Sequence, residues 1–375
     1  MKIAVNTRLL IKNKLDGIGW FSYETLKRIT QQHPEHEFYF IFDRQHSSEF
    51  IFAENIKPVI IGPPARHPFL YVIWFEYSIN RILRKIKPDV FLSPDGFVSL
   101  SSQVKTISVI HDINFEHLPE HLPFLTRTYY RFFFRRFARK SKRIATVSEF
   151  SKNDIVELYK INPDKIDVVY NGSNEIYNPL FEVEKKVVRE KYTDNSPYFV
   201  FISSIQPRKN LINLFKAFEI FKEEYSSDIK LLVIGEKQWW TKKTNTVFDE
   251  MKHKNDVIFC GWLLPNELKN VLGAALALTY VSYFEGFGIP IVEAMYCDTP
   301  VITSNCTSMP EIAGDAALLV DPFSPKSICD AMLKIAKDKS VSADLIKKGQ
   351  IRRQSFSWQK TADLLWNCVI KAVNS

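Results

Sequence analysis

Between residues 194 and 210 the chain reads Asp194-Asn195-Ser196-Pro197-Tyr198-Phe199-Val200-Phe201-Ile202-Ser203-Ser204-Ile205-Gln206-Pro207-Arg208-Lys209-Asn210, and the architecture follows from it. Four turn formers ending in Pro give way to the apolar run Tyr198–Ile205. The run does not alternate, so it predicts a strand covered on both faces. A turn follows at Gln206–Asn210, then an amphipathic helical pattern over Leu211–Glu223. A strand–turn–helix unit therefore starts afresh in mid-chain.

Upstream, similar runs predict strands at Lys2–Asn6, Glu37–Asp43, Asp89–Ser93, Lys105–His111, Arg143–Val147 and Lys165–Tyr170. Downstream they recur at Lys230–Gly235, Asp256–Gly261, Ala275–Ser282, Val301–Ser304 and Ala317–Val320. Strands alternating with helices twice over predict an α/β protein with two parallel, doubly wound sheets. The turn-rich, charged segment 179–196 reads as a linker between a first domain (1–178) and a second (197–355). Ligands of such folds bind at the carboxyl ends of the strands, here in the cleft between the domains.

Composition sets the class. A chain of 375 residues exceeds one ordinary core, and 46% apolar with 25% charged residues is globular. Five scattered cysteines form no C-x-x-C pair and no zinc spacing with His, so buried thiols in a reducing compartment are expected. The apolar start Met1–Asn6 runs straight into Thr7-Arg8, which does not read as a signal peptide. No run reaches the ~18 apolar residues of a membrane span, so a cytoplasmic location is expected. A net charge of +8 favours an anionic partner: a membrane surface, nucleic acid or a phosphorylated substrate.

Five motifs carry candidate chemistry. In Glu285-Gly286-Phe287-Gly288-Ile289-Pro290-Ile291-Val292-Glu293, the two Gly permit a tight turn and close ligand approach, and Pro290 suits the start of a helix. Free N–H groups there would hold a phosphate. Glu285 precedes that start and Glu293 lies ~5 Å, about one turn, inside it, so the two carboxylates could accept hydroxyls on either side of a diphosphate. Arg208-Lys209 follows a strand's carboxyl end and could fork onto phosphate oxygens; the same residues also describe an exposed basic turn. His111-Asp112 ends a strand, where His could contact hydroxyls and Asp could orient it or act as a base. Asp16-Gly17-Ile18-Gly19 lacks the third Gly of a dinucleotide fingerprint and reads as a Gly loop before a helix starting near Trp20. The segment 127–143 holds eight Lys/Arg and no acid. Arg127, Arg131, Arg135 and Arg139 stand at i+4 spacing, a cationic face suited to an anionic leaflet or simply to water. A second candidate surface is Phe69–Tyr77, with Trp74, followed by Arg81, Arg84, Lys85 and Lys87.

In order along the chain, Gly17-Ile18-Gly19, His111-Asp112, Val147-Ser148-Glu149-Phe150-Ser151, Val169-Tyr170-Asn171-Gly172, Pro207-Arg208-Lys209-Asn210, Gly261-Trp262, Glu285–Glu293, Pro310-Glu311 and Asp315–Pro322 resemble the retaining glycosyltransferases of the GT-B fold, family 4 type (glycosyl transferase group 1), and in particular bacterial mannosyltransferase-like members. The resemblance implies two Rossmann-like domains facing a central cleft, with a last helix (356–375) crossing back to the first domain. It implies that Glu293 binds ribose, that Glu285 lies near the transferred sugar, and that Gly286, Phe287, Gly288 and Ile289 supply contacts to sugar and phosphate. Arg208 and Lys209 become the diphosphate clamp, His111 a sugar contact, Gly17 part of a loop near the phosphates, and Gly261, Trp262 and Leu263 neighbours of the base. Many relatives carry Gly-Arg where this chain has Ser203-Ser204, so Arg208 and Lys209 must supply the clamp's charge alone.

The implied activity is retaining transfer of a sugar, mannose by resemblance, from a GDP- or UDP-linked donor to a glycan acceptor on a lipid carrier, in polysaccharide or lipopolysaccharide synthesis. No cofactor or metal is expected, since cationic side chains and a helix start replace the cation. Arg131, Arg135, Arg139 and Trp74 are the expected acceptor or membrane surface, peripheral on the inner face of the plasma membrane. The alternatives are a nucleotide-sugar epimerase of the same fold and a non-catalytic sugar- or nucleotide-binding protein. The basic balance carries no recognisable nucleic-acid reading motif.

Overall fold

The computed structural model describes residues 1–65, 67–237 and 240–375. They fall into two units: Met1–Gly172 with Ser357–Ser375, and Ser173–Phe356.

The first unit holds a seven-stranded sheet of β1 (Lys2–Asn6), β2 (Glu37–Phe42), β3 (Ile56–Ile60), β4 (Val90–Ser93), β5 (Thr106–Val109), β6 (Arg143–Thr146) and β7 (Ile166–Val168), in the order β3-β2-β1-β4-β5-β6-β7. All its pairings are parallel, with Ile3 opposite both Phe38 and Val90. Central strands such as β4 are buried at every residue, which explains their largely apolar, uncharged sequence. Strand β3 escapes sequence reading because Pro58 interrupts it; at the sheet edge the missing N–H costs no inner pairing. The helix of residues 17–32 starts at Gly17, with Asp16 as N-cap accepting from the Gly19 N–H at 2.9 Å, so the expected Gly loop is the helix's first turn. The last helix, Trp358–Asn374, packs on helix 17–32 within this unit, with the Trp366 ring stacked 3.9 Å from that of His33. Gly172 is where the chain passes this helix: a Cβ there would lie 2.2 Å from the Trp358 backbone N.

The second unit holds a six-stranded parallel sheet of β8 (Tyr198–Ile202), β9 (Lys230–Ile234), β10 (Val257–Gly261), β11 (Ala277–Tyr280), β12 (Val301–Ser304) and β13 (Leu318–Val320), in the order β10-β9-β8-β11-β12-β13. Its core gathers Phe199, Phe201, Phe215, Phe218, Leu231, Val233 and Ile302, all buried. The segment 179–196, expected as a linker, contains the helix Glu182–Thr193 and belongs to this unit. The charged run that suggested a linker is that helix's solvated face; Val188 and Thr193 are buried.

Candidate active site

In each sheet one pair of neighbouring strands marks the point where strand order reverses: β8 and β11 in the second unit, β1 and β4 in the first. Doubly wound sheets bind ligands at the carboxyl ends of such a pair.

In the second unit the segments after β8 and β11 are stitched together. The Tyr283 N–H donates to the Arg208 carbonyl at 2.8 Å. Asn210, in the left-handed region at φ 62°, donates through Nδ2 to the carbonyls of Val281 (2.9 Å) and Pro322 (2.7 Å). This lays the short helical turn Pro207–Lys209 against Glu285. Arg208 Nη1 stands 2.9 Å from Glu285 Oε2, and Lys209 Nζ stands 2.6 Å from Glu285 Oε1 and donates to the Tyr280 hydroxyl at 2.8 Å. Arg208 also donates to the Phe284 carbonyl at 3.0 Å. The reading as an exposed basic turn is therefore set aside: Lys209 and Glu285 are each only 6% exposed. Burial alone would raise the Glu285 carboxyl, but the charges of Arg208 and Lys209 outweigh it and hold the group at about 2. The cluster carries two cations and one anion, which leaves a net positive charge for an anionic ligand.

Beside it starts the helix Ile289–Tyr296. Gly288 has φ 91°, a conformation that disfavours any side chain, and an added Cβ would press on Ile291 at 3.1 Å and the Tyr280 ring at 3.4 Å. Ser308 Oγ lies within hydrogen-bond distance of the carbonyls of Glu285 (2.9 Å) and Phe287 (3.2 Å), fixing the turn. Glu293, one turn in, has its carboxyl enclosed against the Tyr177 hydroxyl; burial pushes it up to about 7 against that hydrogen bond. Gly286, Phe287 and Gly288 are buried in this turn and Ile289 opens the helix. Gly261, Trp262 and Leu263 stand at the end of β10, two strands from β8, with Trp262 59% exposed. Sequence reading missed Tyr280 and Tyr177, because their importance comes from partners far along the chain.

In the first unit, His111 follows β5. Its Nε2 lies 2.9 Å from the Pro94 carbonyl, so that nitrogen carries the proton. Burial lowers its pKa, leaving a neutral ring with Nδ1 as acceptor. Asp112 does not orient it by hydrogen bonding: its Oδ1 accepts from the Asn114 N–H at 3.0 Å, and Pro94 sets the ring instead. Gly17 is exposed. At the β1/β4 pair, which sequence reading passed over, Asp95 accepts from Asn6 Nδ2 at 2.8 Å and pairs with Arg8 Nε at 2.5 Å. Strand order, which a single sequence does not reveal, is what singles these residues out.

Trp74 is corrected. It is fully buried, donates through Nε1 to the Ile61 carbonyl at 3.0 Å, and contacts no solvent. The exposed aromatics of that segment are Phe69 and Tyr77. On helix Phe124–Lys140 the buried face is Tyr129, Phe134, Phe137 and Ala138, while Arg131, Arg135 and Arg139 are exposed beside Phe124, Leu125 and Phe132. Arg131 pairs with Glu116 at 3.0 Å. Among the described residues one group of potential metal ligands gathers, Glu224, Cys329 and Asp330, and Lys326 Nζ already sits 2.7 Å and 2.9 Å from its two carboxylates.

Two Rossmann-like units with a cation–carboxylate cluster at the carboxyl edge of the second sheet define the GT-B class. Residues 15–175 match the family described as Glycosyltransferase Family 4, and residues 183–352 match Glycosyl transferases group 1. The chain belongs to this family and is a glycosyltransferase. It is 26% identical to the O-antigen chain mannosyltransferase B of Escherichia coli, over 100% of this chain and 99% of that protein. It is 29% identical to the O-antigen chain mannosyltransferase RfbU of Salmonella typhimurium, over 70% of each. Among solved structures it is similar to Anabaena Alr3699/HepE in complex with UDP and glucose (TM-score 0.77, 16% identity, 99% of this chain and 100% of that one). It is also similar to WaaG, a glycosyltransferase involved in lipopolysaccharide biosynthesis (TM-score 0.72, 14% identity, 96% and 98%).

Proposed function

We propose that the chain transfers mannose, with retention, from a nucleotide-sugar donor to a glycan acceptor carried on a lipid, in O-antigen or related polysaccharide synthesis. The observation that carries the donor half is the buried Arg208–Glu285–Lys209 cluster beside the start of helix Ile289–Tyr296. Two cations converge beside the positive end of helix Ile289–Tyr296, where a diphosphate would bring negative charge. These groups take the part a divalent cation plays elsewhere, which supports metal-independent transfer. Glu293 would accept ribose hydroxyls, and Glu285 would hold and polarise the clamp rather than act as a covalent nucleophile.

Mannose is supported by the two O-antigen mannosyltransferases, one of them similar along its whole length. UDP as the nucleotide is supported by the HepE complex and GDP by the resemblance to mannosyltransferases, so both are to be tested. The acceptor side is assigned to the first unit, with His111 as a sugar contact. The face of helix Phe124–Lys140 that carries Arg131, Arg135 and Arg139 with exposed Phe124, Leu125 and Phe132 fits the surface of an anionic leaflet. Among the described residues no helix is long and apolar enough to cross a membrane, so contact of this kind would be peripheral.

A thermal-shift screen of GDP, UDP and their sugars tests the donor: stabilisation by GDP-mannose above its competitors is expected, and no shift with any of them would reject the reading. Incubation with the stabilising nucleotide sugar alone tests the epimerase alternative, which a new stereoisomer formed without acceptor would establish.

A further inference from the structure

Tyr280, the last residue of β11, lies against Lys209 and Glu285 of the cluster in the second unit. Its hydroxyl accepts from Lys209 Nζ at 2.8 Å, and the same ammonium lies 2.6 Å from Glu285 Oε1. The hydroxyl oxygen and the carboxylate therefore share one cation, and the phenol lies within hydrogen-bond reach of Glu285. The Lys209 ammonium also lies 5.0 Å from the centre of the Tyr280 ring. On its other side the ring bounds the turn at Gly288. The residue is only 2% exposed.

This arrangement bears on how an anion can bind. Both cations are engaged with Glu285. A diphosphate draws Arg208 and Lys209 toward itself and leaves a buried carboxylate short of partners, which is costly. A neutral hydroxyl next to that carboxylate can donate to it without competing for the diphosphate. Resting on the donor-site reading above, we propose that Tyr280 is a positioning residue that takes over the Glu285 carboxylate as Lys209 turns to the donor diphosphate. Here its hydroxyl accepts from Lys209, which it shares with Glu285; once Lys209 turns to a diphosphate, the hydroxyl is left to donate to Glu285. No bond is made or broken and no charge is created.

The test is a double-mutant cycle read by calorimetric titration with GDP and with UDP, using the full chain as wild type, Tyr280→Phe, Glu285→Gln and the double variant. Tyr280→Phe keeps the ring and removes only the hydroxyl. It is expected to weaken whichever nucleotide the wild type binds by about tenfold, with the ligand-free melting temperature shifted by less than about 2 °C. With Glu285 neutralised there is no carboxylate to satisfy, so in the Glu285→Gln background the same change is expected to weaken binding by less than about twofold. Equal affinity of Tyr280→Phe and wild type overturns the inference, as does a tenfold loss in both backgrounds. A ligand-free melting temperature lowered by more than about 5 °C would show the hydroxyl to be holding the fold and would overturn it too. Wild type binding neither nucleotide would reject the donor reading and this inference with it.

Discussion

Glu285 and Glu293 are the same residue type eight positions apart, and their surroundings drive them in opposite directions. Two cations hold Glu285 ionised at about 2, whereas enclosure keeps Glu293 protonated up to about 7. Glu285→Gln should lower turnover by about 100-fold while changing nucleoside diphosphate affinity less than about threefold; steady-state kinetics beside calorimetry would check the split. Glu293→Ala should weaken nucleoside diphosphate binding by about tenfold if its carboxyl accepts ribose hydroxyls, again read by calorimetry. The pH dependence of stability separates the pair. The unfolded chain releases the Glu293 proton near 4.5 and the folded chain only near 7, so stability from this group falls as pH rises between those values and stays low above them. Glu293→Gln should therefore raise the ligand-free melting temperature at pH 8 by roughly 2–5 °C and leave it unchanged at pH 4. Glu285 has the reverse sign: its contribution is full above the normal range of a Glu and is lost as pH falls toward 2. Arg208, Lys209 and the run from Glu285 were legible because each motif is contiguous and its residue types are unusual together. The partners that set their charge states were not. Lys209 and Tyr280 are 71 positions apart, and only the adjacency of β8 and β11 joins them.

At the scale of elements, the strands with largely apolar sequence could be read directly, since burial on both faces leaves no position for a charged residue and few for a polar one. Two elements could not. Strand β3 carries Pro58 and exposed residues because it needs only one neighbour, and helix Glu182–Thr193 shows so much charge that it passed for a linker. Helix Phe124–Lys140 was legible as amphipathic, but periodicity could not say whether its basic face meets water or lipid. Its apolar face is buried, and the exposed side combines cations with Phe124, Leu125 and Phe132. Replacing Arg131, Arg135 and Arg139 together with Glu should abolish flotation with vesicles containing anionic lipid while leaving the melting temperature within about 3 °C, because these side chains are exposed. Retained flotation would leave this helix a merely solvated face. Trp74 shows the limit of composition as a guide: an aromatic cluster followed by cations resembled a surface, yet its largest member faces inward to the Ile61 carbonyl.

At the scale of the whole molecule, the chain builds one unit from a single run of sequence and the other from two pieces. Leu365, Cys368, Val369 and Ala372 of the last helix are buried within the first unit. Leu365→Ala should cost about 2–5 kcal/mol, and Gly172→Ala should be comparably damaging, since its Cβ would strike the backbone at Trp358; denaturant unfolding would measure both. The division has a consequence for the order of assembly. On the ribosome the second unit is complete once residue 356 has emerged, but the first, though made earlier, must wait for residues 357–375. Until then the side of helix 17–32 that receives the last helix is uncovered, with apolar surface open to other chains. The half made first is thus the half finished last, and overexpression or a premature stop near residue 356 should leave aggregates seeded by the first unit.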